Sequence, residues 1–398
     1  MAIRTLDDLD AEGARLGVRV DVNSPLGDDG LADDARIRAH LDTLSELTDA
    51  GARVALLAHQ GRPGGDDFCC LEPHAERLGE LLDAPVEYVD STFSADARGR
   101  IDDLEPGSLL VLENTRFYSE EYMEFEPGRA AETYLVCRLA PALDAYVNDA
   151  FAAAHRSQPS LVGFSASLPS FAGRVMEREL DVLGHIEDTE RPRVYLLGGA
   201  KIADSLHVAD SVLDRGLADA ILTAGVVGNV FLFAAGADLG EASASVVHDR
   251  DSWDTVEWAR GLLDRHGDKI HVPDDVAVER DGERVDVALS DLPADEPALD
   301  VGSATIEAYA AILEDAGTAI CNGPTGVFER EPFALGTREL YSAASRAGFS
   351  IVGGGDTAAA LRGLGVSGFD HVSTGGGAAL ALLTGERLPA VEALRNAG

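Results

Sequence analysis

The residues best suited to catalysis and ligand binding follow the ends of short apolar runs. One such group includes Lys201, one of only two lysines in the chain. Residues 196–201 read Leu-Leu-Gly-Gly-Ala-Lys, so Lys201 follows a glycine-rich turn that brings the main chain close to a ligand. A lysine there supplies a point charge beside a transferring phosphate. The alternative is an ordinary surface lysine at a helix start, but the only other lysine is Lys269. We therefore interpret Lys201 as functional.

Two further runs end in three glycines that open onto helix-forming segments. Residues 353–357 read Gly353-Gly354-Gly355-Asp356-Thr357, and residues 375–377 are Gly375, Gly376 and Gly377. Free amides at a helix N-terminus favour phosphate, and Asp356 is the hard oxygen ligand that Mg²⁺ prefers. Two alternatives stay open: Asp356 could cap its helix, and Gly353-x-Gly355-x-x-Ala358 fits the dinucleotide fingerprint. That fingerprint usually opens its domain, whereas this one lies near the end of the chain.

A polar turn over residues 322–329 adds groups to the same rim. It begins at Asn322 and ends at Glu329. Glu329 could accept hydrogen bonds from a ribose diol, or it could be one of the many solvated acids. With Lys201 and the glycines, this turn predicts a site for a Mg-nucleotide.

In the N-terminal half, arginines and other polar residues follow the ends of four apolar runs. The planar fork of arginine holds carboxylate and phosphate oxygens bidentately. One such arginine alone would be an ordinary surface ion-pair partner. Four at comparable positions, in a chain of formal charge −38, indicate a trap for a small anion. The candidate residues of this half are Asp21, Asn23, Arg36, His59, Arg62, Arg116 and Arg156.

The elements that must position these residues form a doubly wound α/β pattern. Short apolar runs of the buried parallel-strand type alternate with helical stretches. Ligands bind at the carboxyl ends of such strands, which is where the candidate residues lie. The predicted strands are residues 18–22, 54–58, 109–112, 145–147, 194–197, 220–222, 319–321, 350–352 and 371–372.

A boundary is predicted near the middle of the chain. Met176, Leu180, Leu183 and Ile186 have helical spacing, and Pro192 stops the pattern, so residues 174–190 are interpreted as a connecting helix between two lobes. The lobes are residues 1–173, with the anion trap, and residues 191–372, with the nucleotide site. Apolar and polar residues alternate over 276–289, and this pattern predicts an additional β-hairpin.

Composition limits the class of protein. The 398 residues include 32 Lys+Arg against 70 Asp+Glu, a balance that argues against nucleic-acid binding. With 45% apolar residues, the chain can form hydrophobic cores. We interpret the acidity as adaptation to high salt. Four cysteines without metal-type spacing fit a reducing cytoplasm. The uncharged segment 220–237 is interpreted as a strand, a turn and a core helix, and not as a membrane span.

Eight motifs, in order along nearly the whole chain, resemble those of the phosphoglycerate kinase family, and the acidity and short loops are similar to haloarchaeal members. They are residues 18–25 (Val-Arg-Val-Asp-Val-Asn-Ser-Pro), 59–63 (His-Gln-Gly-Arg-Pro), 113–117 (Glu-Asn-Thr-Arg-Phe), 148–151 (Asn-Asp-Ala-Phe) with 154–156 (Ala-His-Arg), 198–201 (Gly-Gly-Ala-Lys), 322–329 (Asn-Gly-Pro-Thr-Gly-Val-Phe-Glu), 353–357 (Gly-Gly-Gly-Asp-Thr) and 373–377 (Ser-Thr-Gly-Gly-Gly).

The resemblance implies two Rossmann-like lobes that close about a hinge, with residues 373–398 returning toward the N-terminal lobe. It implies a monomeric cytoplasmic kinase that exchanges phosphate between 1,3-bisphosphoglycerate with ADP and 3-phosphoglycerate with ATP. The seven candidates of the N-terminal half would then hold the triose. Lys201, Asn322, Glu329 and residues 353–357 would serve the nucleotide, with Asp356 on Mg²⁺. Arg36, Lys201 and the amides of residues 375–377 would act on the moving phosphoryl group.

Some residues depart from the family pattern. Many members have a second lysine where this chain has Ser205, which bears on how the nucleotide phosphates are clamped. Ser24 and Gln60 replace residues that are usually apolar, and we expect both to matter little. Two other functions stay open: an NAD-dependent dehydrogenase built on the 353–358 fingerprint, and a non-catalytic nucleotide-binding sensor.

Overall fold

The computed structural model describes residues 2–27, 30–248 and 253–397, and the chain forms two compact units. One unit comprises residues 1–181 and 386–398, and the other comprises residues 182–385. The side chains of His248, Trp253 and Asp356 lie outside the description. The domain boundaries expected at residues 173, 190 and 372 stay predictions.

Six parallel strands form the sheet of the first unit. Their spatial order is β3-β4-β2-β1-β5-β6, so the chain turns to opposite sides of β1. Aliphatic side chains fill a core on each face, with Val18 and Val54 on one face and Leu57 and Leu110 on the other. The strands β1 to β6 are Arg15–Arg19, Arg53–Leu57, Val86–Val89, Leu109–Leu112, Ala145–Asn148 and Ser170–Ala172.

Helices cover both faces of this sheet, and the last helix of the chain belongs to the same unit. A short ribbon of Leu26–Gly27 and Gly30–Leu31 follows β1. The helices are α1 Ala35–Ala39, α2 Leu41–Asp49, α3 Glu72–Leu81, α4 Ala95–Asp103, α5 Pro127–Ala130, α6 Tyr134–Leu139, α7 Pro159–Val162 and α8 Arg174–Gly184, with Pro389–Arg395 at the C-terminal end.

The second unit has the same architecture and an additional small antiparallel sheet. Its parallel sheet has the order β9-β8-β7-β13-β14-β15, and β10, β11 and β12 form a separate antiparallel sheet. Its strands β7 to β15 are Arg193–Leu197, Ala220–Thr223, Ile270–His271, Asp275–Arg280, Glu283–Ala288, Asp300–Val301, Thr318–Asn322, Phe349–Gly353 and His371–Val372. Its helices α9 to α16 are Ile202–Asp214, Gly225–Ala234, Glu241–His248, Trp253–His266, Ser303–Glu314, Leu335–Ala344, Gly355–Leu364 and Gly376–Leu383, and α17 is Pro389–Arg395 of the first unit.

The structure confirms the predicted fold class and all nine predicted strands, within a few residues at their ends. The hairpin is also confirmed, because β10 and β11 pair around Asp281 and Gly282. Segment 220–237 forms β8 and α10, and within the described ranges no helix is long and apolar enough to span a membrane. The strands of the two parallel sheets that were not predicted, β3, β6 and β9, all lie at sheet edges, where a strand can be short or only half apolar.

Candidate active site

An ion pair between a buried carboxylate and a half-buried arginine lies just beyond the carboxyl end of β1. The side chain of Asp21 is buried, and one of its oxygens contacts the guanidinium of Arg36 on α1. Burial alone would raise the pKa of Asp21, but the charge of Arg36, with smaller contributions from the Asn23 amide and the charge of Arg19, lowers it to about 2. Asp21 therefore stays ionised and holds Arg36 in place.

The loops after β1, β2 and β4 are joined at Gly61. Its N–H donates to Asn23 Oδ1 at 2.7 Å, and its carbonyl accepts a hydrogen bond from Arg116 Nη1 at 2.6 Å. One residue of the β2 loop thus fixes a side chain from each of the other two loops. Three of the predicted strand-end positions are therefore brought together by direct contacts.

His59 is held as a neutral imidazole by a buried arginine that the sequence analysis did not single out. Arg19, on β1, places Nη2 at 2.9 Å from His59 Nδ1. A guanidinium only donates, so Nδ1 accepts and the proton is on Nε2. Burial and the charge of Arg19 hold the pKa of His59 well below its usual value. A charged residue inside an apolar strand run was the signal that could have revealed Arg19.

The cations of this cluster repel one another. Burial, followed by the charges of Arg156 and Arg19, lowers the pKa of Arg116 to about 10. Burial and the charge of Arg62 also lower the pKa of Arg156. Such shifts indicate positive charge that the protein does not fully compensate, so an added anion would be stabilised here. Charge interactions and hydrogen bonds therefore link the candidates of the N-terminal half into one cluster with net positive charge in the first unit, called here the cationic pocket.

A buried histidine beside this pocket makes stability depend on pH. Burial lowers the pKa of His74 on α3 to about 4. The unfolded chain binds a proton near pH 6.5. The stabilisation from neutral His74 is therefore complete above pH 6.5 and is lost as the pH falls toward 4, a loss of about 3 kcal/mol.

We expect His74→Gln to remove much of this acid sensitivity. The measurement is the free energy of unfolding in denaturant, at fixed high salt, at several pH values between 7 and 4.5. His185→Gln, at an exposed histidine, is the control. If His74→Gln and the wild type lose stability in parallel over this range, burial of His74 does not cause the pH dependence.

In the second unit, three strand-end loops are hydrogen-bonded to one another. Gly198 N–H donates to the Asn322 carbonyl at 2.8 Å, and Gly199 N–H donates to the Pro324 carbonyl at 2.6 Å. Gly323 N–H donates to Thr357 Oγ1 at 3.0 Å. The loops after β7, β13 and β14 therefore meet, and Lys201 lies at the cap of α9 beside them.

Two helix N-termini are adjacent in this unit. Gly354 caps α15 and Gly375 caps α16. A Cβ on Gly376 would lie only 3.6 Å from Gly354 Cα, so the two glycine runs pack closely. Amides from both N-termini can therefore face one group of phosphates. The Asp356 side chain, predicted to bind metal, lies outside the described residues.

A cavity of about 240 Å³ opens beside these loops. Its lining includes Gly199, Ala200, Asn229, Phe328 and Glu329. Of the predicted nucleotide residues, only Glu329 lines this cavity, while Lys201 directly follows the lining residue Ala200. Asn229, a polar residue inside a strongly apolar helix, was not among the predicted site residues.

Ser205, where the resemblance leads us to expect a second lysine, is buried within α9. Tyr341, also unpredicted, donates through its hydroxyl to the Gly323 carbonyl at 2.7 Å and supports the 322–329 turn. Each predicted site residue thus falls into one of two groups, one in each unit. The roles of these residues stay predictions.

One α/β unit thus carries a cluster of arginines, and the other carries glycine loops beside a lysine. The family model "Phosphoglycerate kinase" matches residues 6–386. The chain is 69% identical to phosphoglycerate kinase of Natronomonas pharaonis, over 99% of this chain and 100% of the relative. It is 62% identical to the enzyme of Halobacterium salinarum, over 99% of this chain and 100% of that protein.

Solved structures agree with the sequence comparisons. The crystal structure of phosphoglycerate kinase from Pyrococcus horikoshii superposes with a TM-score of 0.95 at 41% identity and covers 99% of both chains. The enzyme from Coxiella burnetii gives a TM-score of 0.82 at 31% identity, also over 99% of both chains. The chain belongs to the phosphoglycerate kinase family, whose members use ADP and ATP.

Proposed function

We propose that the chain catalyses reversible phosphoryl transfer between 1,3-bisphosphoglycerate with ADP and 3-phosphoglycerate with ATP. The observation that carries this proposal is the cationic pocket of the first unit, where Arg116 and Arg156 have lowered pKa values. A triose that carries both a phosphate and a carboxylate supplies the anionic charge that this pocket lacks. The residues assigned to the triose are Asp21, Asn23, Arg36, His59, Arg62, Arg116 and Arg156.

The loops of the second unit are proposed to hold the nucleotide. Glu329 lines the cavity and can accept hydrogen bonds from the ribose. The amides at the N-termini of α15 and α16 suit the phosphates, and those of residues 375–377 receive the moving group. The remaining residues assigned to the nucleotide are Lys201, Asn322, Gly353, Gly354, Gly355, Asp356 and Thr357.

Mg²⁺ is proposed to accompany the nucleotide. Among the described residues, no group of three or more His, Cys, Asp or Glu could hold a metal by itself. Mg²⁺ in kinases is bound through one or two carboxylates together with substrate phosphates. We assign this role to Asp356 on the basis of the sequence, because it is the second residue of α15 and follows a glycine run of the phosphate-binding type. The ion would neutralise charge on the phosphates during transfer.

The residues support direct transfer without a general base. The attacking carboxylate of 3-phosphoglycerate is already ionised at neutral pH, because its ordinary pKa is about 4. Arg36, Lys201 and the helix amides cancel negative charge that develops on the transferred group. The hinge closure implied by the resemblance is part of the proposal, because excluding water prevents hydrolysis of the activated phosphate.

The test of this function is ADP release from Mg-ATP, with and without 3-phosphoglycerate, in molar KCl. We expect release only when 3-phosphoglycerate is present. A parallel assay for NAD reduction tests the dehydrogenase alternative. Failure to release ADP at every salt concentration, in protein shown to be folded by circular dichroism, would favour the non-catalytic sensor.

The protein is further proposed to act as a cytoplasmic monomer without nucleic-acid or membrane partners. Its formal charge of −38 supports the absence of such partners, because anionic nucleic acids and lipids would repel the protein. Light scattering coupled to gel filtration, in molar salt, measures the mass. A mass near 41.8 kDa is expected.

A glycine at the centre of the nucleotide loops gives a matched test of close main-chain packing. Gly323 has φ +83°, and a Cβ there would lie 2.3 Å from the Gly198 carbonyl oxygen. Gly323→Ala must separate the two loops, so we expect the KM for ATP to rise about tenfold or more. Gly216 has φ +66° with no neighbour within 4 Å, so Gly216→Ala carries the backbone strain alone. Similar KM values for the two variants would contradict the role of this contact.

A further inference from the structure

Gln60, in the loop after β2, is a fully buried polar side chain without a role in the proposed reaction. Its Oε1 accepts a hydrogen bond from Ser24 N–H at 2.9 Å and lies 3.0 Å from His74 Nε2. Its Nε2 donates to the Ser24 carbonyl at 2.8 Å and to the Asp67 carbonyl at 3.0 Å. The amide thus uses both donors and both acceptor positions.

The main chain of Gln60 is also bonded on both sides. Its N–H donates to Asn114 Oδ1 at 3.2 Å, and its carbonyl accepts from Asn114 Nδ2 at 2.8 Å. The same Asn114 nitrogen donates to the Cys69 carbonyl at 2.8 Å. Gln60 therefore connects the loop after β1, the loop after β4 and the far end of its own loop.

Gly61, the residue after Gln60, contacts two of the residues assigned to the substrate pocket. Gly61 binds both Asn23 and Arg116 through its main chain. A Cβ on Gly61 would lie 2.5 Å from the Asp67 carbonyl oxygen, so the β2 loop folds tightly back on itself at this point. A small shift of Gln60 would therefore move Asn23 and Arg116 relative to each other.

We propose that Gln60 is a positioning residue that holds the Asn23 and Arg116 loops in the geometry that binds the triose. An apolar side chain would fill the same space, but it would leave the Ser24 and Asp67 carbonyls and the Ser24 N–H without their buried partners. The inference rests on the proposed function. It assigns a purpose to a residue whose type alone gave no reason to expect one.

The test compares steady-state kinetics of Gln60→Met and Gln60→Asn with the wild type. Methionine keeps the length but makes no comparable hydrogen bonds, whereas asparagine keeps the amide but is too short to bridge both loops. We expect Gln60→Met to raise the KM for 3-phosphoglycerate about tenfold, with the KM for ATP within about twofold of the wild type. Gln60→Asn is expected to lie between the two, and it decides the question if Gln60→Met does not fold.

The control is Thr48→Val, which removes a buried hydroxyl bonded to the Leu44 carbonyl within α2 of the same unit. We expect it to lower stability and leave both KM values unchanged. The inference is overturned if the folded Gln60 variants keep the wild-type KM for 3-phosphoglycerate, or if both KM values and kcat worsen together. A wild type that is inactive with 3-phosphoglycerate refutes the proposed function instead, so the two failures are distinguishable.

Discussion

Replacement of Lys201 by alanine is expected to lower kcat about 10²- to 10³-fold, because it removes a cation that stabilises charge on the moving phosphoryl group. Lys201 lies at the cap of α9, next to the loops that carry Gly199 and Asn322. The triose pocket belongs to the first unit, so binding of 3-phosphoglycerate should be largely kept. The measurements are kcat for ADP formation, and 3-phosphoglycerate binding by calorimetry.

The chain supplies its own control for this experiment, because its only other lysine is Lys269. Lys269 Nζ donates to the Ala218 carbonyl at 3.2 Å, away from the glycine loops. Lys269→Ala removes the same charge and side-chain volume, and its kcat should match the wild type. If Lys201→Ala turns over as fast as Lys269→Ala, Lys201 has no part in the transfer.

The second large effect is expected for Arg36→Ala, with a fall in kcat/KM for 3-phosphoglycerate of about 10³-fold, because both binding and charge stabilisation are lost. The substitution also leaves the buried carboxylate of Asp21 without its main partner. The pKa of Asp21 must then rise, and we expect a loss of about 1–3 kcal/mol in the free energy of unfolding at neutral pH. Kinetics and denaturant unfolding at the same salt concentration measure the two effects.

Arg38 provides the matched control on the same helix. It is exposed, and its Nε donates to Asp34 Oδ1 at 2.9 Å, so it takes no part in the pocket. Arg38→Ala changes the net charge equally, and its kcat/KM should stay within about twofold of the wild type. Equal losses in both variants would mean that general electrostatic attraction, and not the position of Arg36, controls activity.

Much of the fold could be predicted from the sequence because buried parallel strands are recognisable as short apolar runs. β4 and β7 are covered on both faces, so nearly every residue is apolar, and the run is visible without an alignment. The edge strand Val86–Val89 contains Glu87 because only part of it is buried. Its place in the sheet depends on the partner strand β4, which local sequence does not specify.

The candidate site was predictable only where function requires a conspicuous residue type. Lys201 was conspicuous because lysines are so rare in this chain, and strand-end arginines were conspicuous because of their common placement. Arg19 and Gln60 were not, because their importance comes from partners such as His59 and Ser24 that lie distant in sequence. Such contacts exist only after the loops have met in three dimensions.

The last helix, α17, completes the first unit from the far end of the chain. Ala390 N–H donates to the Ala154 carbonyl at 3.1 Å, while residues 182–385 form the other unit. During synthesis at about 5–20 residues per second, the 204 residues from 182 to 385 take roughly 10–40 s to emerge. A nascent chain therefore carries a first unit without its closing helix throughout that interval. The last segment that the first unit needs is therefore synthesised after every residue of the second unit.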